Sequence, residues 1–127
     1  MGLIASDIRS NSFKNMEVDL SSMLYFSKNG ISKLLKSLTL GRIFIGALSV
    51  ETAKAAYQKA MIYLNDRITF DKPINHFQSI SFKLLDMTIK IEASELLFYR
   101  STWLRDKRKN FIKEAAIVKL YTSATAF

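Results

Sequence analysis

Apolar residues recur at helical spacings over most of the chain and divide it into three predicted helices. The first predicted helix follows the Asn29-Gly30 break and ends near Arg67. Its apolar and small positions recur at intervals of three, four and seven residues: Leu34, Leu38, Ile45, Leu48, Thr52, Ala55, Ala56 and Tyr63. Residues one helical turn apart share a face, so this pattern predicts one long helix.

The second predicted helix follows the connection TFDKPIN and carries apolar residues on two sides. Pro73 disfavours helix at Lys72 and suits the first turn of a new helix. One stripe contains Phe77, Ile80, Leu84, Met87, Ile91 and Phe98, and the other contains Phe82, Leu85, Ile89, Ala93, Leu96 and Trp103. A helix with two apolar sides is packed between neighbours, so this helix is expected to need several partners.

The third predicted helix begins at Asn110 or Phe111 and continues to the C-terminus without a glycine cap, as though the chain were cut within it. Short connections between long helices favour antiparallel neighbours. The predicted fold is therefore all-α, an antiparallel up-down bundle containing three long helices of a four-helix type. A fourth helix or another subunit would complete it. Small residues on the first helix would permit close helix contact: Gly41, Gly46, Ala47, Ala53, Ala55 and Ala56.

The first twenty residues lack a helical period and alternate briefly at Phe13, Met16 and Val18, which predicts a strand or an extended tail. We therefore divide the chain into a tail with linker over residues 1–28 and a helical bundle domain over residues 29–127. No apolar run approaches the roughly 18 to 20 residues of a membrane span, and the first residues lack the basic-then-apolar order of a signal peptide. These features predict a soluble intracellular protein.

The composition limits the chemistry that the chain can perform. It has no cysteine and one histidine, which excludes thiolate catalysis and metal centres built from several histidines. The net charge of +8 is shared equally between the two halves, so there is no basic tail. The dense run RDKRKN, residues 105–110, is interpreted as a solvated helix end and loop. Because no stacking aromatics are interleaved with that run, nucleic-acid binding is disfavoured.

An ordered set of short motifs resembles the C-terminal helical domain of acyl-CoA dehydrogenases. The family pattern is G-R, a small-residue helix, Y-x-x-x-R-x-x-F-G-x-P-I-x-x-x-Q, and then K-L-A-D-M. The matching residues are Gly41, Arg42, Tyr63, Arg67, Phe70, Pro73, Ile74, Gln78, Lys83, Leu84, Asp86 and Met87. Further along, EAAIVKLYTS resembles the family's E-A-A-x-x-K-x-x-x-S. The first residues, MGLIASDIRSNSF, resemble the last strand of the family's middle β domain.

The chain departs from the family pattern at several positions. Asp71 stands where the family has glycine, which puts the turn after Phe70 in doubt because glycine reaches positive φ at little cost. The tail lacks an arginine at Ile4 and the V-P pair at Asp19-Leu20. Leu85 replaces an alanine.

The resemblance implies a flavin site to which this chain contributes one part. By analogy with the family, Arg67, Thr69 and Gln78 reach the diphosphate and adenosine half of an FAD held mainly by a neighbouring subunit, and Phe70 is a fourth candidate. Each also has an ordinary structural interpretation. Arg67 could interact favourably with the C-terminal dipole of the first helix. Phe70 could be a core residue, and Gln78 could form a capping box with Asn75 at the start of the second helix. His76 is interpreted as a partly exposed residue at the helix start.

The resemblance implies α,β-dehydrogenation of an acyl-CoA thioester, with Arg42 on the substrate side or else in a structural ion pair. In most members the catalytic glutamate lies on a segment that would follow Phe127, and in a minority it precedes the arginine, where this chain has Gly41. Neither position offers a carboxylate, so no catalytic residue is assigned and the chain alone is expected to be inactive. Tyr63 is interpreted as a packing residue.

Two functions therefore stay open after the sequence is read. The chain is either part of an FAD-dependent acyl-CoA dehydrogenase, or a non-catalytic helical oligomerisation module or gene remnant of that family. The family implies homo-oligomers built on these helices and an electron-transferring flavoprotein as acceptor. The expected compartment is the cytoplasm, or the mitochondrial matrix in a eukaryote. Neither the acyl chain length nor the natural extent of the chain follows from the sequence.

Overall fold

The computed structural model describes residues 9–23 and 30–127, and the chain divides near residue 30 into two units that we treat separately. Three α-helices account for most of the second unit: α1 (Gly30–Asp66), α2 (Gln78–Asp106) and α3 (Ile112–Thr125). The predicted all-α fold is confirmed. With 37 residues, α1 is about 55 Å long at 1.5 Å per residue. None of the described helices is long and apolar enough to cross a membrane.

A stripe of small and branched residues buries one side of α1. Its members follow alternating spacings of four and three residues: Thr39, Ile43, Gly46, Val50 and Ala53. Val118 of α3 lies so close to Gly46 that a Cβ built on the glycine would stand 2.3 Å from Val118 Cγ1. The backbone of α1 therefore approaches the side chains of α3 without an intervening side chain.

The facing stripes on α2 and α3 are also built from small residues. The buried positions of α2 are Ile91, Ser94 and Ser101, and those of α3 are Ala115, Val118 and Thr122. Thr122 donates its hydroxyl to the Val118 carbonyl at 2.8 Å, and Ser94 donates to Thr125 Oγ1 at 3.2 Å. Within the described residues Ser101 Oγ is buried without a hydrogen-bond partner. The small side chains thus allow the three helices to pack closely, but they form only a modest apolar core.

The apolar positions that predicted the first helix lie on its outer side. Leu34, Leu38, Ile45 and Leu48 are 47–60% exposed, and Tyr63 is 60% exposed, so the interpretation of Tyr63 as packed is wrong for this chain. On α2 the stripe through Ile91 packs inward, whereas the stripe through Phe82, Leu85 and Trp103 remains exposed. Both helices therefore present apolar surface that the second unit does not cover.

The predicted N-terminal strand is absent from the described tail. Residues 9–23 contain no strand, only a short 3-10 turn over Leu20–Ser22, so the extended alternative fits this segment. The strand-like motif through Ile4 and the break at Asn29 fall outside the described residues.

An ion pair between partly buried side chains joins α1 and α2. Lys54 Nζ donates a hydrogen bond to Glu95 Oε1, and Glu51, one turn earlier on α1, lies 3.7 Å away from the same ammonium. The hydrogen bond to Glu95 raises the pKa of Lys54. Loss of hydration on burial opposes this effect, and the negative charges of Glu95 and Glu51 add to the rise. The charged ammonium is therefore favoured in the folded state.

This ion pair predicts a specific loss of stability at alkaline pH. Because the folded-state pKa of Lys54 lies above its unfolded value, its contribution is complete below about pH 10.4 and is lost as pH rises through the folded pKa. Urea unfolding between pH 8 and pH 11.5 should show a steeper decline for the wild type than for Lys54→Met. Lys59→Met, an exposed change on the same helix, should decline like the wild type; matching slopes for all three proteins would refute the linkage.

Candidate functional site

A two-stranded hairpin between α1 and α2 carries two of the four predicted cofactor residues, Thr69 and Phe70, and Arg67 directly precedes it. Strand β1 (Ile68–Thr69) pairs antiparallel with β2 (Lys72–Pro73), with Ile68 opposite Pro73 and Thr69 opposite Lys72. The strands are only two residues long. The hairpin therefore changes the direction of the chain after α1 and exposes the side chains at its tip.

Positive φ angles form the tip of this hairpin. Phe70 has φ 51° and Asp71 has φ 61°, the signs that a two-residue type I′ turn requires at both central positions. The chain therefore adopts the left-handed conformation that glycine would favour even though Asp71 replaces it. Asparagine and aspartate tolerate this region better than other residues, whereas a phenylalanine there is strained.

Replacing Asp71 with glycine is expected to stabilise the chain by about 0.5–1 kcal/mol, because the strain of a left-handed side chain outweighs glycine's extra freedom when unfolded. Asp71→Ala is the matched control and should be less stable than the wild type, since alanine lacks aspartate's tolerance for positive φ. Guanidinium unfolding of the three proteins measures both changes. Equal stability of the glycine and alanine variants would show that this φ carries no strain.

Several contacts fold the hairpin back onto the start of α2. The Ile74 amide donates to the Arg67 carbonyl at 3.0 Å, and the Asn75 side chain donates to Asn65 Oδ1 near the end of α1. The rings of Phe70 and Phe77 meet edge to face at 6.3 Å, and Lys72 Nζ lies 4.5 Å from the Phe77 ring centre. These contacts hold the hairpin beside the first turn of α2.

The structure corrects two interpretations of this connection. Pro73 does not begin the second helix, because it pairs in β2 and a 3-10 turn over Ile74–His76 separates it from α2. Gln78 and Asn75 do not form a capping box, because Phe77 is the N-cap of α2 and supplies no side-chain cap. His76 is exposed, as expected of a residue at the helix start.

The predicted cofactor residues are accessible and have few partners in the chain. Arg67 follows the end of α1, donates its amide to the Tyr63 carbonyl and is exposed, and no carboxylate of the described residues pairs with its guanidinium. Phe70 is 84% exposed, so its interpretation as core is wrong. Gln78 is exposed, Thr69 is half-buried, and Asn75 Oδ1 is buried without a partner among the described residues.

This donor set fits an external anionic group. An uncommitted guanidinium can fork onto two phosphate oxygens, while hydroxyl and amide groups add neutral hydrogen bonds. An exposed aromatic ring at the tip offers a flat apolar contact. Asn75 and Lys72 were missed by reasoning from the sequence, and nothing in their spacing distinguishes them from ordinary turn residues.

Arg42 lies far from the hairpin along the same helix. It precedes Arg67 by 25 positions, which places the two side chains about 37 Å apart along α1 at 1.5 Å per residue. Arg42 is exposed and has no carboxylate partner among the described residues, so a structural ion pair within this unit is ruled out. Residue 41 beside it is a glycine with open space around its Cα. One chain therefore cannot bring Arg42 and the hairpin to a single small ligand.

Comparison with known proteins identifies the family of this helical domain. A family model described as acyl-CoA dehydrogenase, C-terminal domain, matches residues 28–127. The chain belongs to the acyl-CoA dehydrogenase family. The motif resemblance recognised in the sequence is thereby confirmed.

The chain matches one part of longer relatives. It is 36% identical to a short-chain-specific acyl-CoA dehydrogenase of Megasphaera elsdenii over 99% of the chain and 33% of that protein. It is 33% identical to the human mitochondrial short-chain-specific enzyme over 99% of the chain and 31% of that protein. The chain thus spans about a third of the length of these curated relatives.

The chain also superposes on solved structures of the same fold. Butyryl-CoA dehydrogenase from Megasphaera elsdenii superposes with a TM-score of 0.84 at 36% identity, over 89% of this chain and 30% of that one. A structure of PigA with FAD and proline superposes with a TM-score of 0.75 at 28% identity, over 77% of this chain and 26% of that one. The fold of this chain is therefore found in solved structures, one of which contains FAD.

Proposed function

We propose that the chain is the helical part of a flavin-dependent acyl-CoA dehydrogenase and that its hairpin clamps the diphosphate and adenosine half of FAD. Arg67 would hold phosphate oxygens, Thr69 and Gln78 would add neutral hydrogen bonds, and Phe70 would contact an apolar face of the cofactor. The observation that carries this proposal is the donor set at and beside the hairpin, in which Arg67 and Gln78 are exposed and no carboxylate of the described residues pairs with Arg67. Bound FAD supplies the hydride acceptor for α,β-dehydrogenation of an acyl thioester.

The distance between Arg42 and the hairpin along α1 supports a site shared between subunits. Arg42 would face the acyl-CoA of its own subunit, whereas the hairpin about 37 Å away would serve the flavin of a neighbour. The exposed apolar stripe Leu34, Leu38, Ile45 and Leu48 supplies surface for such association, since large exposed apolar patches mark interaction sites. We propose the homo-oligomer on this ground.

The chain by itself is proposed to be inactive. Removal of the α proton needs a carboxylate placed beside the substrate, and Gly41 at the position next to Arg42 cannot supply one. The base would come from residues outside these 127. An electron-transferring flavoprotein is the proposed acceptor, and one relative at 35% identity is a subunit of a caffeyl-CoA reductase-Etf complex in Acetobacterium woodii. The reaction would run in the cytoplasm or in the mitochondrial matrix.

An Arg67→Ala substitution tests the clamp. In a protein that joins this chain to its flavin-binding domains, the change should weaken FAD binding about tenfold, because a charge-assisted phosphate contact contributes about 1.4 kcal/mol or more. Equilibrium dialysis with fluorescence of the released flavin measures the effect. Arg67→Lys should recover part of the affinity, and Arg105→Ala, an exposed change at the far end of α2, should leave it unchanged.

A second candidate function is a helical association module without flavin. The same exposed stripe on α1 favours it, because an apolar helix side that lacks a partner in its own chain is suited to another copy. Wild-type flavin affinity in the Arg67→Ala protein would favour this second function. Sedimentation of Leu38→Glu and Leu48→Glu variants would then show whether the stripe mediates the association.

A further inference from the structure

A side-chain hydrogen bond ties the end of α1 to the start of α2 beside the hairpin. The side-chain amide nitrogen of Asn75 donates to Asn65 Oδ1 across ten positions of the chain. Asn65 belongs to the last turn of α1, just before Arg67, and Asn75 lies in the 3-10 turn that precedes Gln78. This contact, which we call the asparagine bridge, thus joins the two elements that carry the charged donor and the amide donor.

Both backbone groups of Arg67 are held by the same two elements. Its amide donates to the Tyr63 carbonyl of α1 at 2.9 Å, and its carbonyl accepts from the Ile74 amide of the 3-10 turn at 3.0 Å. Because Asn75 directly follows Ile74, the asparagine bridge runs beside this backbone hydrogen bond as a second tie. The direction in which the Arg67 side chain leaves the backbone is therefore set by how α1 and the 3-10 turn meet.

The hairpin is too small to hold this geometry by itself. Its strands contain two residues each, and an isolated two-stranded hairpin is at best marginally stable in water. Its tip adds strain, because Phe70 and Asp71 both have positive φ. The contacts at its base must therefore supply the order that the strands lack.

The Asn75 side chain is satisfied on one side only. Its nitrogen has a partner in Asn65, whereas Asn75 Oδ1 is buried without a hydrogen-bond partner among the described residues. A buried acceptor without a partner destabilises the fold. An apolar side chain of similar size at this position would remove that penalty, and the exposed Asn65 would be hydrated instead. Stability alone therefore does not account for an asparagine at position 75.

We propose that Asn75 is a positioning residue for the flavin clamp and that the asparagine bridge sets the spacing between Arg67 and Gln78. This inference rests on the proposed function for the identity of the ligand and adds a residue that does not touch it. Donors on two different helices bind one ligand well only when the helix ends are held in one arrangement. Without the bridge, FAD binding would first have to order the connection, and affinity would fall accordingly.

The first test measures FAD affinity and stability for the same variants. In a protein that joins this chain to its flavin-binding domains, Asn75→Leu and Asn65→Ala should each weaken FAD binding about fivefold, the equivalent of one net hydrogen bond. The 127-residue chain with Asn75→Leu should nevertheless be at least as stable to urea as the wild type, because the unpartnered acceptor is gone. Equal losses of stability and affinity would instead indicate a purely structural residue. Gln58→Leu, the same change at an exposed amide earlier on α1, should leave FAD affinity unchanged.

Hydrogen exchange of the Ile74 amide in the flavin-free chain tests the bridge directly. Exchange should be about fivefold faster in Asn75→Leu and Asn65→Ala, because the hydrogen bond from Ile74 to Arg67 would open more often. Asn65→Asp keeps an acceptor oxygen and should exchange as slowly as the wild type. Exchange as slow in Asn65→Ala as in the wild type would overturn the bridge.

The Arg67→Ala protein separates this inference from the proposed function. If Asn75 acts through Arg67, adding Asn75→Leu to Arg67→Ala should weaken FAD binding by less than Asn75→Leu does alone, and a full fivefold loss would overturn the positioning role. Weaker binding in Arg67→Ala with wild-type binding in Asn75→Leu would overturn this inference and leave the clamp standing. Wild-type binding in both would overturn the clamp itself, and with it the positioning role.

Discussion

Gly46→Ala is expected to destabilise the folded chain by about 2 kcal/mol. The added Cβ would stand 2.3 Å from Val118 Cγ1, far inside van der Waals contact, and overpacking of this kind costs about 1–3 kcal/mol or more. Val118 cannot turn away easily, because a valine in a helix has one strongly preferred χ1 rotamer. The helix propensity of alanine offsets about 1 kcal/mol of the cost. Urea unfolding followed by circular dichroism measures the difference.

Gly41→Ala is the matched control for this prediction. Gly41 lies in the same helix, and a Cβ built on it meets nothing within 4 Å. The substitution should therefore stabilise the chain by about 0.5–1 kcal/mol through helix propensity alone. The two alanine variants are thus expected to change stability in opposite directions. If Gly46→Ala were as stable as Gly41→Ala, the close approach of α1 to α3 would be wrong.

Val118→Ala is expected to cost about 2 kcal/mol by itself and to interact with Gly46→Ala. Val118 is completely buried, and its truncation loses two buried carbon atoms and leaves a cavity against α1. The Cβ of an alanine at position 46 would enter the space that the valine methyl leaves. The double variant should therefore be more stable than the sum of the single changes predicts, by about 1 kcal/mol or more.

A double-mutant cycle from four unfolding curves measures this coupling. Val50→Ala is a suitable control for the second position, because Val50 is buried on α1 but is not among the atoms nearest to Gly46. The cycle of Val50→Ala with Val118→Ala should show weaker coupling. Additive effects of Gly46→Ala and Val118→Ala would mean that the two residues do not touch.

The existence of the three helices could be predicted from the sequence, but the buried side of the first helix could not. Long segments with a helical period are the strongest signal that a sequence carries. In α1, however, the larger apolar residues such as Leu38 and Leu48 lie outside, and the smaller Gly46 and Ala53 lie inside. Periodicity cannot distinguish the two sides when both are apolar, because it gives a direction only where one side is polar.

The hairpin shows where local rules were insufficient. Pro73 is compatible with the first turn of a helix, and it is equally compatible with an edge strand that needs no amide from it. Its pairing with Ile68 follows from the turn at Phe70 and Asp71. The turn requires positive φ angles at both of these residues, and non-glycine residues rarely adopt positive φ. The pairing of the hairpin strands, rather than helix propensity, decided the outcome.

The candidate site was predicted through resemblance more than through chemistry. Exposed residues such as Arg67 and Gln78 have ordinary structural interpretations, and only the ordered spacing of the family motifs selected them. Arg108 had no such signal, because a basic run at a helix end is usually solvated. Its left-handed φ becomes visible only in three dimensions.

The five-residue connection between α2 and α3 has a kinetic consequence. Elements joined by short connections meet after little loss of loop entropy, so these two helices are expected to dock early during folding. The contact of Gly46 with Val118 joins positions roughly 70 residues apart and is expected to form late. Substitutions at that contact should therefore accelerate unfolding and leave the refolding rate almost unchanged. The lifetime of the native state would then be set where α1 meets α3.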